Sequence, residues 1–505
     1  MSETANIRKN YNEFIEYVKE LSDISRANEF LEWDMETYMP KGAAESKGFV
    51  QSTISGIAHE KFTSERMKKY LESFPTENDG SFTPEEWTNI RETRREYEKS
   101  VKIPIDLVKE ISKTRSLATS DWHKAKNEGN FKLFSPWLEK WVDIEEREAE
   151  YLGYENEPYD ALLDNFEPYT LTKDIEGVLR NLKNELKPMI KAVINSDMKI
   201  RTDFLYSPYK ADKQMFMVKK IAEKMGFDFT RGRIDMSEHP FTTGYVFDTR
   251  FTVKIRENNL PFSIFAGMHE AGHALYQQGL NEKWDRTPMG EPVSMGIHES
   301  QSRLWENIVG RSREFWEYFY PSLRETFPKQ LKNVDIDEFH SAINRSEPSL
   351  IRVEADELTY NMHIILRFEM ERALLNHEIE AKEAEEVWNE KMQEYMGISP
   401  DNASKGILQD IHWAQGYFGY FPTYSLGNLY SSQLYNAASK ELDDIKGCIS
   451  SGELGVLRNW LKDNIHSKGK MFSAGELCEN VTGEKLKASY FVNYLKEKYG
   501  KIYGI

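Results

Sequence analysis

The sequence predicts a mostly α-helical protein carrying one small β-sheet, and three observations lead there. Apolar residues recur at intervals of three and four over long stretches, glycine and proline are sparse inside those stretches, and a single segment alternates with a period of two. The first helix is "YNEFIEYVKELSDISRANEFLEW", followed by "FSPWLEKWVDIEEREAEYLG" and "DIEGVLRNLKNELKPMIKAVI". The exception is "HPFTTGYVFDTRFTVKI". Here Phe247, Thr249, Phe251, Val253 and Ile255 alternate with Val246, Asp248, Arg250, Thr252 and Lys254, which reads as one β-strand with Asp248, Arg250 and Thr252 on one face. The neighbouring "RIDMSEH" supplies a partner strand. The small sheet therefore sits immediately before "FAGMHEAGHALYQQG", an apolar helix, and "GIHESQSRLWENIVG" begins a second helix soon after. "EVWNEKMQEYM" and "YFVNYLKEKYGKIY" complete the helical pattern.

The chain has 505 residues and no low-complexity tract, linker or internal repeat, so residues 1–505 are expected to form one body with two lobes. Hydrophobic residues at 39% and aromatics at 13% suffice for a packed core. A net charge of -17 argues against nucleic acid and anionic membrane surfaces as partners, because both need clustered Lys and Arg. No run of about 18 apolar residues occurs, so no spanning helix is expected. With only Cys448 and Cys478, a disulfide framework and a thiolate-rich metal site are excluded. The start, "MSETANIRKNYNEF", lacks the apolar stretch of a signal peptide, and the expected compartment is the cytoplasm.

In "HEAGH", His269 and His273 lie one helical turn apart on one face, close enough to share a cation, with Glu270 beside them. Imidazole nitrogens suit zinc, which in catalytic sites takes three protein ligands and leaves a position for water. Gly272 is expected to leave space beside the second histidine. Glu299, near the start of the next helix, is the natural third ligand, since no third histidine follows at the HExxHxxGxxH spacing.

Six motifs stand in order along the chain: "HPF" at 239 to 241, "DTRFT" at 248 to 252, "HEAGH" at 269 to 273, "HESQ" at 298 to 301, "IRVEAD" at 351 to 356 and "GILQDIHW" at 406 to 413. Together they resemble the thermostable carboxypeptidase 1 (carboxypeptidase Taq) family of metallocarboxypeptidases, as do "WDMETYMPKGA" near the N-terminus and "VTGEKLKASYFVNYLKEKY" near the C-terminus. Ala43 stands where a second glycine is expected. The resemblance implies a helical zincin of the gluzincin type with a deep groove and the small sheet beside its active-site helix. It also implies a cytoplasmic carboxypeptidase of broad specificity that is a homodimer and binds zinc, with cobalt as a substitute in some members. Carried onto this sequence, His269, His273 and Glu299 are ligands and Glu270 is the catalytic glutamate.

Other residues in these motifs are candidates for the remaining work. The oxyanion needs a donor, and Tyr420, Tyr424 or His412 would serve. A terminal carboxylate suits a guanidinium, with Arg352 preferred over Arg250. The spacing of Arg352 also permits a helical pair with Asp356, and Arg250 near Asp248 would alternatively brace the sheet. The strand "DTRFT" is expected to receive the substrate backbone by edge pairing. His239 and His298 are expected to support the ligands or line the groove, and His59, His123, His340, His363, His377 and His466 to be ordinary polar residues. The alternative activity is that of a helical zinc oligopeptidase cutting internal bonds or releasing dipeptides. A non-catalytic zinc protein is disfavoured by Glu270, since a structural site needs no base.

Overall fold

The computed structural model describes residues 3–505 and is built from helices around one three-stranded sheet. The long periodic stretches fold as expected, over Glu3–Thr37, Ser135–Leu152, Thr172–Ile194, Ala384–Met396 and Ala488–Tyr503. Their apolar stripes face inward: Leu138, Trp141 and Ile144 are fully buried on one of them, and Leu182 and Leu186 on another. A separate small core joins Tyr11, Phe14 and Tyr17 of the first helix to Met67, Leu71, Phe74, Phe82 and Ile90.

The alternating residues form one strand as expected, β3 (Asp248–Val253), and the structure adds a strand not foreseen: β2 (Thr242–Tyr245), just upstream, turns at Val246 and Phe247 and pairs antiparallel with it. The partner strand β1 (Gly232–Met236) forms as expected and runs parallel to β3, giving the order β1-β3-β2. The strand bearing "DTRFT" is thus the central one. Both of its edges are occupied, and edge pairing with a peptide on β3 is ruled out.

The first helix lies across this sheet. The Arg250 guanidinium stacks 4.6 Å from the ring of Phe30 and 4.4 Å from that of Trp33, while Arg26 covers Tyr245 at 4.0 Å. The Tyr38 hydroxyl donates to Asp235 at 2.6 Å. On the other side the sheet packs on the helix Leu260–Gly279, the scaffold of the site.

Candidate metal centre

Two helices build the centre. The histidine helix, Leu260–Gly279, starts with Asn259 accepting from the Phe262 N–H and is buried along most of its length. The glutamate helix, Met295–Arg303, starts at Ser294, whose side chain accepts from the Ile297 N–H. Buried Glu167 strengthens that start, accepting from the Gly296 N–H at 2.9 Å and the Ser294 hydroxyl at 3.0 Å. The helix then widens into a π turn over Leu304–Val309.

The helices approach closely because Gly272 has no side chain. A Cβ there would stand 2.6 Å from the Gln301 carbonyl oxygen and 2.7 Å from the Ser302 Cα. Gly272 therefore makes room for the facing backbone and not for His273. Gly427 does the same on the helix Pro422–Glu441, where a Cβ would stand 2.4 Å from the Glu299 Cγ.

The result is a convergence on one oxygen. Glu299 Oε2 lies 3.5 Å from His269 Nε2 and 3.3 Å from His273 Nε2, and the three donor atoms fall within 4.8 Å of one another. Each imidazole is held from its other nitrogen. His269 Nδ1 donates to Glu306 Oε2 at 2.9 Å, and His273 Nδ1 meets His298 Nδ1 at 2.5 Å. For Nε2 of His273 to offer a lone pair, its Nδ1 must carry the proton and His298 must accept it. Burial, then the nearby His273, hold the pKa of His298 well below its ordinary value, so it is neutral and able to accept. Glu299 resists the effect of burial because Arg303 and the two histidines hold its pKa well below the carboxylate range. Arg303 donates to it from Nε at 2.7 Å. Two imidazole nitrogens and one carboxylate oxygen, all facing one point, fit a divalent ion such as zinc.

Glu270 points from the same helix and is held by β2: the Thr242 hydroxyl lies 2.7 Å from its Oε2 and 3.0 Å from its backbone oxygen. The β-hairpin thus holds the carboxylate of the residue that follows His269.

A second cluster collects residues from "IRVEAD" and "GILQDIHW". Arg352 is 6% exposed. Its Nε and one terminal nitrogen donate to Asp410 Oδ1 at 3.0 and 2.7 Å, and the other terminal nitrogen donates to the Tyr360 hydroxyl at 2.9 Å. The Arg352–Asp356 pair permitted by spacing is not made. Asp356 instead accepts from Ser346 and Thr359, and Arg352 sits in a short 3-10 turn rather than on a helix. Arg367 balances the other oxygen of Asp410 at 2.7 Å. The Tyr424 ring lies 4.9 Å from the Arg352 guanidinium, and the Tyr424 hydroxyl lies 3.3 Å from His412 Nε2. Burial pushes the Tyr420 phenol up to about 12, with Glu299 adding to it, and pushes the His412 imidazole down to about 3. Both are neutral at neutral pH. The two clusters touch, since Arg303, which holds Glu299, lies over the ring of Tyr360 at 4.5 Å.

Two candidates stand apart. Arg250 makes two 2.8 Å bonds to Asp248 and stacks on the first helix, so it braces the sheet. His239 is exposed beyond β1, with only its carbonyl bonded, to the Ser237 hydroxyl at 2.6 Å. His298 is a direct partner of His273. Thr242, Arg303, Glu306 and Asp410 were not legible as site residues, although Glu306 lies two helical turns beyond Glu299. His466 is not an ordinary surface histidine: it is buried, and its Nε2 bonds Gln301 Oε1 at 2.9 Å behind the glutamate helix.

A family described as carboxypeptidase Taq (M32) metallopeptidase matches residues 13–499. The chain is 37% identical over 492 residues to carboxypeptidase 1 of Bacillus subtilis (strain 168), covering 97% of this chain and 98% of that protein. It is 39% identical over 484 residues to thermostable carboxypeptidase 1 of Pyrococcus furiosus, covering 94% and 95%. Among solved structures, the M32 carboxypeptidase from Deinococcus radiodurans R1 superposes with a TM-score of 0.96 at 35% identity, covering 98% of this chain and 100% of that one.

Proposed function

Because this chain belongs to the carboxypeptidase Taq (M32) family of metallopeptidases, we propose that His269, His273 and Glu299 hold one zinc ion and that Glu270 is the general base. The protein is a metallocarboxypeptidase, a hydrolase of peptide bonds. The observation that carries the site assignment is the convergence of the two Nε2 atoms on Glu299 Oε2, with each opposite nitrogen already engaged.

When bound, the zinc ion acidifies water and polarises the scissile carbonyl. Glu270 takes the proton of the attacking water and delivers it to the departing amine, its carboxylate kept in place by Thr242. Tyr420, Tyr424 and His412 are neutral donors near Glu299 and Arg352, and a phenol is the favoured partner for the oxyanion. Arg352 receives the terminal carboxylate. Asp410 and Tyr360 use three of its five N–H groups, which leaves one proton on each terminal nitrogen for two parallel bonds. Arg250 is already engaged with Asp248 and is the weaker choice.

The substrates are peptides, shortened one residue at a time with broad specificity. The substrate groove is placed along the open edges of His269 and His273, whose side chains are 20% and 17% exposed. The small core of the N-terminal helices forms one lobe beside it. Cobalt is a substitute metal and the assembly is a homodimer, both carried over from the family resemblance; the compartment is the cytoplasm, which the two free cysteines suit. Among the described residues no helix is long and apolar enough to cross a membrane.

Two variants test the division of roles. Glu270→Gln keeps one ion per chain and loses about three orders of magnitude in turnover, the scale of a lost general base. Glu299→Ala loses the ion on dialysis against a mild chelator, because one of three protein bonds is gone. Loss of metal from the first variant, or full metal in the second, reverses the assignment.

A further inference from the structure

The two oxygens of Glu299 are treated differently. Oε2 faces the histidine nitrogens and accepts from the neutral Ser302 hydroxyl at 2.8 Å, whereas Oε1 accepts a charged bond from Arg303 Nε at 2.7 Å. Arg303 is itself fixed on several sides. A terminal nitrogen donates to Glu306 Oε2 at 3.3 Å, the same oxygen that holds His269, and the guanidinium plane lies against Tyr360 at 4.5 Å. Gly427 packs against the Glu299 Cγ, so the side chain has no room to swing its carboxylate aside.

We propose that Arg303 keeps Glu299 coordinating through one oxygen only, and thereby sets which divalent ion the centre prefers. This rests on the ligand assignment made above. A carboxylate free to present both oxygens suits larger ions with six or more ligands, such as manganese, and fills the position that a catalytic zinc leaves for water. A guanidinium on Oε1 removes that option and favours a small, tetrahedral ion. Arg303 also carries a positive charge close to the cation, which weakens binding of every divalent ion. Removing it is thus expected to change selectivity without a general loss of affinity. A residue that merely propped up the site would do the opposite, lowering all affinities together. Arg303 is a positioning residue, since it acts through Glu299 and touches neither ion nor substrate.

The test uses R303M, stripped with chelator and titrated competitively with zinc and manganese, with a second sample loaded with cobalt for visible absorption. R303M is expected to bind one ion per chain, with the zinc-over-manganese preference reduced about 10-fold or more, within the range of outer-shell effects. The cobalt absorption is expected to weaken as the coordination number rises. Because R303M takes one of the two arginines from mostly buried Glu306, leaving it His269 and Arg311, R303M/E306Q removes both charges of that pair together, and it is expected to give the same shift. An unchanged preference and spectrum, or an equal fall in affinity for zinc and manganese, overturns the proposal. Retention of full metal by H269A in an otherwise unaltered chain is a separate result. It overturns the ligand assignment and not the role of Arg303 alone.

Discussion

Thr242 has one hydroxyl proton and two acceptors on Glu270, the side-chain Oε2 at 2.7 Å and the backbone oxygen at 3.0 Å. A hydrogen bond to a charged group contributes about 1.5 to 3 kcal/mol. Thr242→Val keeps the shape and removes the bond, so kcat is expected to fall roughly 10- to 100-fold with KM and metal content little changed. Thr242→Ser restores most of the rate. In a Glu270→Gln background the same Thr242→Val change has little further effect, because the group it positions is gone. Equal losses in both backgrounds would show that Thr242 serves the fold and not the base. At this scale the cluster that could hold a metal was legible, since His269, His273 and Glu299 follow from helical spacing and donor chemistry. Thr242 and Glu270 meet only through folding across 28 positions, and nothing local marks the pair. Arg352 shows the same limit: spacing offered Asp356, but the partner is Asp410, 58 residues away.

Among the elements, the histidine and glutamate helices were evident from periodicity, while their contact was not. Gly272 reads as space beside His273 until the backbone of Gln301 and Ser302 is found against it. The strand β3 was legible from its alternation, while β2, the half-buried Thr242–Tyr245 with no apolar alternation, was not. Glu371 ties several elements together at a point the sequence does not mark. Fully buried on the helix Tyr360–Leu375, it accepts from the Tyr159 hydroxyl at 2.7 Å, the Trp413 indole at 2.8 Å and the Gly419 N–H at 3.1 Å. The last two belong to the loop that carries His412 and Tyr420. Burial raises its pKa from 4.5 to about 7, against the pull of these donors. A carboxyl group with a raised folded-state pKa contributes its full stability below about pH 4.5. That contribution is lost as pH rises towards 7, because the folded form still holds the proton that the unfolded chain has released. Glu371→Gln cannot ionise. Whatever its stability at pH 5, the variant is expected to gain on the native chain by on the order of 3 kcal/mol by pH 8, measured by urea unfolding of both proteins. A constant gap between the two would mean that Glu371 titrates normally.

For the whole molecule, composition and periodicity were enough for a helical body with one small sheet, and motif order was enough for the family. What sequence could not supply is the convergence itself. Two helices bring the candidate ligands together, a hairpin braced on the first helix holds Glu270, the proposed base, and two distant segments bring Arg352 and the phenols together. In that geometry the metal chemistry would serve any zinc peptidase, and the role proposed for Arg352 is to direct cleavage to the last peptide bond. The decisive measurement is therefore a mass-spectrometric time course on one peptide with a free C-terminus and on its C-terminal amide, for the native chain and Arg352→Ala. Arg367 still balances Asp410 in that variant. The account predicts release of single residues from the free peptide. Amidation is expected to cost on the order of 2 to 4 kcal/mol, about 30- to 1000-fold in kcat/KM. Arg352→Ala gives a similar loss, and the two do not add, since they delete opposite halves of one contact. Equal cleavage of the free and amidated peptides, or a first product longer than one residue, would contradict it.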